Sequence, residues 1–304
     1  MLCTVVFVNG FTDAPNAIVN CVATGCLPLR KASLMAAVFN LLGVVFGFAF
    51  AKELAFTVGG LVDFYDTGIS RIALSSALGA IVIWAVSAWF FGIPTSESHA
   101  LVAGLAGAAL ASGGADFGKA QWIKLFAGLI LSVFAGYILG KFTNMAVKKA
   151  NLNDNSHSKF QIYAAAATAF MHGSQDGLKF LGVFMLISGG KLPVYTIFIC
   201  AGLMACGTFA GGRRIIENVG IKMVNIEKYQ GVAADIASSI CLLAFTLAGI
   251  PVSTTHTKTS ALMGCGHEGM NKKIALSVVT AWIVTFPSCG AISFLLTKLI
   301  LGLK

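Results

Sequence analysis

The chain has 304 residues, of which 57% are hydrophobic and 11% charged, and its formal net charge is +9. Soluble domains carry about a quarter charged residues, so the composition excludes an ordinary soluble enzyme or binding module and points to a multi-pass membrane protein. The positive excess reads as membrane topology and attraction to anionic membrane lipid, not as a nucleic-acid surface.

Ten apolar segments follow one another, at roughly 1–26, 32–51, 72–92, 98–112, 121–141, 161–187, 192–210, 231–249, 256–266 and 274–301. The fourth and ninth fall short of the ~20 residues that a straight span needs. The first and sixth are interrupted by glycine, proline and acidic residues. Polar connections occupy Asn144 to Lys159 and Gly211 to Gln230, and the second reads as an amphipathic helix on the membrane surface. The eight cysteines sit mostly in apolar stretches without CxxC spacing, as packing residues rather than disulfides or metal ligands. No cleavable signal peptide stands out. Only nine residues precede Gly10, so the first half-helix is a stub or starts upstream.

Two landmarks recur in the same order. Gly10, Asp13 and Asn16 match Gly173, Asp176 and Lys179, and Gly92-Ile-Pro-Thr-Ser-Glu-Ser-His99 matches Gly249-Ile-Pro-Val-Ser-Thr-Thr-His256. The offsets, 163 and 157 positions, are nearly equal. The chain therefore divides into two repeats, 1–142 and 161–304, joined by a loop over 143–160. Each repeat holds five segments, an odd number, which inverts the second relative to the first. Taking segments three and four as a re-entrant hairpin leaves three crossings, still odd. The expected fold class is an all-α polytopic membrane protein of two inverted-topology repeats with broken or re-entrant helices, a plan common among secondary transporters.

Twelve basic residues, among them Arg30, Lys31, Lys148, Lys149, Lys159, Arg213 and Arg214, fall on one side, against seven on the other, such as Lys52, Arg71 and Lys191. The positive-inside rule makes the first side cytoplasmic and puts both termini outside. The expected location is the plasma membrane, the inner membrane of a bacterium. A homodimer is allowed, and not required, by anything in the sequence.

Asp13, Glu97, Asp176 and Lys179 fall in apolar surroundings, where a charge costs about 2.5–3.5 kcal/mol even on the gentlest scale. If a helix restarts near Asp13, then Asp13 and Asn16 share a face, with Asp13 as its cap and Pro15 in its first turn. A broken helix offers free amides to an anion and free carbonyls to a cation. The alternative is that Asp13 and Asp176 merely cap kinks. Thr95, Ser96 and Ser98 in one repeat, and Ser253, Thr254, Thr255 and Thr257 in the other, supply hydroxyls that donate to an oxyanion or coordinate sodium. The competing use for each is a bond back to its own helix. His99 and His256 suit structural hydrogen bonds, or substrate and proton handling.

These residues carry a family resemblance over nearly the whole chain. Gly10-Phe-Thr-Asp-Ala-Pro-Asn-Ala17 resembles the G-x-N-D-x-x-N-A signature of the inorganic phosphate transporter (PiT) family. His172-Gly-Ser-Gln-Asp-Gly-Leu-Lys179 is similar to its second copy, H-G-x-N-D-x-x-K. Pro251-Val-Ser-Thr-Thr-His256 resembles the family's P-V-S-T-T-H, with Pro94-Thr-Ser-Glu-Ser-His99 as its looser counterpart. The resemblance implies a symporter of inorganic phosphate, with Na+ or H+ as coupling ion and no other cofactor. Substrate contacts are then expected at Thr12, Asn16, Thr95, Ser96, Gln175, Lys179, Ser253, Thr254 and Thr255. Coupling-ion contacts are expected at Asp13, Asp176, Ser96, Ser253 and Glu97, with Asp13 and Asp176 as sodium ligands. Thr12 and Gln175 stand where the family has asparagine, and Glu97 stands where the second copy has Thr254. Lys179 either pairs with Asp176 or touches phosphate directly. Sulfate is the alternative substrate and an anion channel the alternative mode. An enzyme is not expected: no nucleophile–base motif, HExxH or GxxxxGK[ST] loop is present.

Overall fold

The computed structural model describes residues 1–65, 67–91, 95–211, 216, 226–266 and 272–303, with backbone alone at 67, 272–275, 277 and 278. Most of the segment Gly211 to Gln230, where a surface helix is expected, falls outside the described residues, as do Pro94, Arg213 and Arg214.

The protein is mostly helical. Helix α1 (Leu2–Thr12) ends at Asp13, and a 3-10 turn (Ala14–Ile18) leads into α2 (Val19–Ala23). Pro15 enforces the break, because it lacks an amide proton and crowds the residue before it. Gly25, at φ +71°, then turns the chain in a conformation that suits glycine. Helices α3 (Leu29–Ala51) and α4 (Glu53–Gly59) follow. Two short strands, β1 (Val62–Phe64) and β2 (Ala115–Phe117), pair antiparallel with Asp63 opposite Asp116. Between them lie α5 (Thr67–Phe91) and α6 (Glu97–Ser112). The chain continues through α7 (Lys119–Lys149), α8 (Asp154–Ile187), α9 (Val194–Ala210), α10 (Lys228–Leu247), α11 (Thr254–Gly264) and α12 (Lys272–Gly302).

Among the described residues, six helical stretches are long and apolar enough to cross a membrane: Leu2–Ala23, Leu29–Ala51, Gly68–Phe91, Lys119–Lys149, Lys228–Leu247 and Val279–Gly302. Large apolar side chains such as Phe46, Phe90, Phe134, Phe198 and Leu295 are exposed, while Asn9, Asp13, Glu97, Asp176, Lys179 and Asp235 are buried. Apolar outside and charged inside is the distribution a lipid solvent selects.

Two expectations need correction. The sixth segment is not interrupted: α8 runs unbroken for 34 residues through Gly173, Asp176 and Lys179. Unlike the first segment it contains no proline, and Asp176 is held by Lys179 one turn on, at 2.7 Å. The polar connection expected over 144–159 shrinks to a few residues, because α7 extends to Lys149 and α8 begins at Asp154, where Asn153 caps Ser156 N at 2.8 Å.

The packing brings the ends of short helices to the centre. Helix α6 lies against α5 and α12, and α11 lies against α10 and α7. Helix α3 lies between α8 and α9, and α1 packs on α9 and α5. The N-termini of α6 and α11 meet, facing the break after α1 and the middle of α8.

Candidate functional site

Ser96 and Ser253 are the N-caps of α6 and α11. Each hydroxyl accepts from the backbone amide three residues on, His99 N and His256 N, both at 3.2 Å. The two hydroxyls also bond to each other at 2.8 Å. Two helix N-termini therefore abut, and their amides give the region positive potential.

Asp13 and Asp176 lie beside them, buried. Asp13 caps no backbone amide of the turn that follows it; its carboxylate turns instead to side chains of that turn and of α11. It accepts from Asn16 Nδ2 at 2.8 Å, Thr255 Oγ1 at 2.5 Å and Thr254 Oγ1 at 3.3 Å. Asp176 accepts from Lys179 Nζ at 2.7 Å and from Asn9 Nδ2 at 3.2 Å. His172 stands between the two acids, its Nε2 3.8 Å from Asp13 Oδ2 and 3.3 Å from Asp176 Oδ2. It makes no hydrogen bond there. One atom from each of Asp13, His172 and Asp176 lies within 4.8 Å of the others, the spacing of a cation site.

Glu97, in the first turn of α6, accepts from Thr12 Oγ1 at 3.0 Å, and Thr12 also lies 2.8 Å from Val8 O. Among the described residues, the buried acceptors Glu97 Oε2 and Asn9 Oδ1 have no hydrogen-bond partner. Buried polar atoms are nearly always paired, so these two acceptors leave hydrogen-bonding capacity unused beside the acids.

Lys179 Nζ fills its coordination within the protein. Besides Asp176 it donates to Ser98 Oγ at 2.6 Å and to Val252 O at 2.5 Å. The ion pair that was one of two alternatives for Lys179 is thus formed. Gln175 is tied to the second Gly-Ile-Pro stretch, donating to Ile250 O and accepting from Val252 N, both at 3.3 Å. Thr95 is half-buried beside Ser96. Among the hydroxyls, Thr257 bonds back to Ser253 O at 2.8 Å, as an ordinary membrane threonine does.

His99 and His256 face each other with ring centroids 4.5 Å apart, and His256 stacks on Trp282 at 3.8 Å. His99 Nδ1 lies 2.8 Å from Ser96 Oγ. The His99 ring thus supports the capping Ser96, whereas the His256 ring packs between His99 and Trp282.

The sequence reading missed Asn9 and His172. A signal was there: each immediately precedes a matched glycine, Gly10 or Gly173, and Asn9 bonds the aspartate of the other stretch while His172 stands between the two. It also missed Asp235, Asn20 and Gln161, which form a second buried polar group around Lys258.

The sequence profile described as the phosphate transporter family matches residues 9–160 and 153–293. The chain belongs to this family. It is 32% identical over 316 residues to the probable low-affinity inorganic phosphate transporter of Bacillus subtilis (strain 168), covering 97% of this chain and 94% of that protein. A namesake from Rhizobium meliloti (strain 1021) is 33% identical over 313 residues, covering 95% and 91%. Among solved structures, one described as the sodium-dependent phosphate transporter superposes with a TM-score of 0.87 at 19% identity, over 99% of this chain and 97% of that one. The family members matched are transporters, and the fold is theirs.

Proposed function

We propose that the protein takes up inorganic phosphate by secondary active transport, coupled to Na+ or H+, across a plasma membrane with both termini outside. The observation that carries this is the abutment of two capped helix N-termini, Ser96 on Ser253 at 2.8 Å, beside two buried aspartates and a buried lysine. Amides, hydroxyls and an ammonium suit a tetrahedral dianion. Bare carboxylates repel one, so Asp13 and Asp176, with Ser96, Ser253 and Glu97, hold the coupling cation. Thr12, Asn16, Thr95, Gln175, Thr254 and Thr255 join the two serines around phosphate, and Lys179 joins them by exchanging one of its neutral protein acceptors, Ser98 Oγ or Val252 O, for the anion. A cation between carboxylates and anion cancels the repulsion and links the two affinities. The unpartnered Glu97 Oε2 and Asn9 Oδ1 support a cation in this region, as does the printed description of the similar solved structure as sodium-dependent.

The same reading takes the chain as two inverted repeats, 1–142 and 161–304, with ten membrane segments. Matched close contacts support it. A Cβ on Gly43 would lie 2.0 Å from Phe170 O, and one on Gly207 would lie 2.1 Å from Phe7 O. The glycines are 164 positions apart and the phenylalanines 163. Gly107 and Gly264, 157 positions apart, likewise lie against Gly290 O and Tyr137 O. Paired half-sites at the meeting of repeats favour alternating access over a continuous pore. The test is labelled phosphate uptake into proteoliposomes, with sodium and pH gradients imposed separately and sulfate as competitor. Uptake driven by neither gradient would contradict coupling, and equal competition by sulfate would contradict the substrate.

A further inference from the structure

Asp235 and Lys258 form a buried ion pair at 2.9 Å, separate from the Asp13–Asp176 site. The pair gathers four segments. Asp235, on α10, also accepts from Asn20 Nδ2 on α2 at 2.8 Å and from Gln161 Nε2 on α8 at 2.5 Å. Lys258, on α11, also donates to Ala17 O of the 3-10 turn at 2.6 Å.

The position of this layer follows from the helices. Helices α8 and α10 begin on one face of the molecule, where Lys228 Nζ meets Asp154 Oδ2 at 2.6 Å. Gln161 and Asp235 each lie seven residues beyond that contact, about 10 Å into the protein at 1.5 Å per residue. His172 lies about 16 Å deeper along α8. The pair therefore stands between this face and the acids. Lys258 is also one turn along α11 from Thr254, which bonds Asp13, so the layer and the site share a helix.

The opposite barrier has different chemistry. At the repeat offset of 157, Asp235 corresponds to Leu78 and Lys258 to Leu101. At the offset of 163, Asn20 corresponds to Val183. All three counterparts are buried in one apolar core. The polar layer also carries two buried acceptors, Asn20 Oδ1 and Gln161 Oε1, without partners among the described residues. A layer built only for stability would satisfy them. A layer that must separate and take up water has a use for them.

We propose that the Asp235–Lys258 pair is a gate between the Asp13–Asp176 site and the face where α8 and α10 begin, and that the gate on the other side is an apolar seal. The proposal rests on the transport reading. It makes Asp235 and Lys258 positioning residues: they touch neither phosphate nor coupling ion, and they set how readily one side opens.

Native cysteines report on this directly. Cys21 follows Asn20 in the layer, whereas Cys289 packs on Ala100 O in the opposite part of the core, and both are buried. Purified protein in proteoliposomes of known orientation is labelled with a membrane-impermeant maleimide, and each cysteine is read by peptide mapping. Lys258→Met leaves a buried carboxylate unpaired, which favours opening to water. It should raise Cys21 labelling about tenfold from the α8–α10 face, a modest population shift, with Cys289 unchanged. Replacing both partners with leucine should return Cys21 towards its wild-type rate. If Lys258→Met does not fold, Gln161→Ala removes one tie and keeps the pair, and should raise Cys21 labelling about threefold. A Cys21 rate within twofold of wild type, or Cys21 and Cys289 rising together, overturns the gate. Wild-type protein that takes up no phosphate would instead overturn the transport reading, and the labelling comparison does not depend on that result.

Discussion

The Ser96 hydroxyl donates to the Ser253 hydroxyl across 2.8 Å, joining the caps of two helices whose serines are 157 positions apart. Each serine already accepts from its own helix, so on the proposed reading an oxyanion that engages both caps displaces this shared proton. Ser96→Ala or Ser253→Ala should raise the half-saturating phosphate concentration several-fold. Loss of a cap also costs about 0.5–2 kcal/mol of stability, so transport kinetics and thermal unfolding should be measured on the same preparations. Unchanged kinetics in both variants would confine the serines to capping.

Asp13 and Asp176 reach their partners differently, Asp13 through hydroxyls and Asp176 through an ammonium. Asp13→Asn and Asp176→Asn should each abolish gradient-driven phosphate uptake while the protein still inserts. Near-normal uptake by either variant, measured against matched amounts in the membrane, would remove that aspartate from the coupling site.

Lys179 has three partners within the protein, of which only Asp176 is charged. Lys179→Asn should weaken phosphate binding about tenfold or more, the consequence of losing a charged hydrogen bond of roughly 1.5–3 kcal/mol. The same change leaves Asp176 without its cation and lowers the unfolding temperature. The double variant with Asp176→Asn should recover the temperature but not the affinity. Full recovery of phosphate affinity in the double variant would reduce Lys179 to a structural counter-ion.

Gly43 and Gly207 test the two-repeat reading without touching the site. A methyl group on either would press into a carbonyl of a neighbouring helix, Phe170 O or Phe7 O. Gly43→Ala and Gly207→Ala should destabilise by similar amounts, on the order of 1–3 kcal/mol each, seen as matched shifts in thermal unfolding. A large effect at one glycine and none at the other would argue against equivalent places.

Much of this was legible in the chain because a few residues decided it. Pro287 lies within the continuous helix α12, so proline alone does not decide a break; Pro15 together with Asp13 and Asn16 in an apolar run made the interruption at Asp13 readable. Ser96 and Ser253 announced themselves by recurring in one motif. The continuity of α8 was not legible. An acid and a glycine in an apolar run suggest a break, but Asp176 is satisfied by Lys179 one turn away and by Asn9 from another helix. Asp235 escaped for a similar reason, since its partners Asn20, Gln161 and Lys258 lie on three other segments. His172 and Asn9 were within reach, and comparing the residues before Gly10 and Gly173 would have found them.

The central claim is that a cation held by Asp13 and Asp176 completes the phosphate site. Calorimetric titration of purified protein with phosphate, at a series of sodium concentrations and separately across pH, measures this linkage directly. The account predicts that one of the two cations tightens phosphate binding at least fivefold, that phosphate tightens binding of that cation by the same factor, and that Asp13→Asn abolishes both effects. Phosphate affinity independent of both sodium and pH would contradict it.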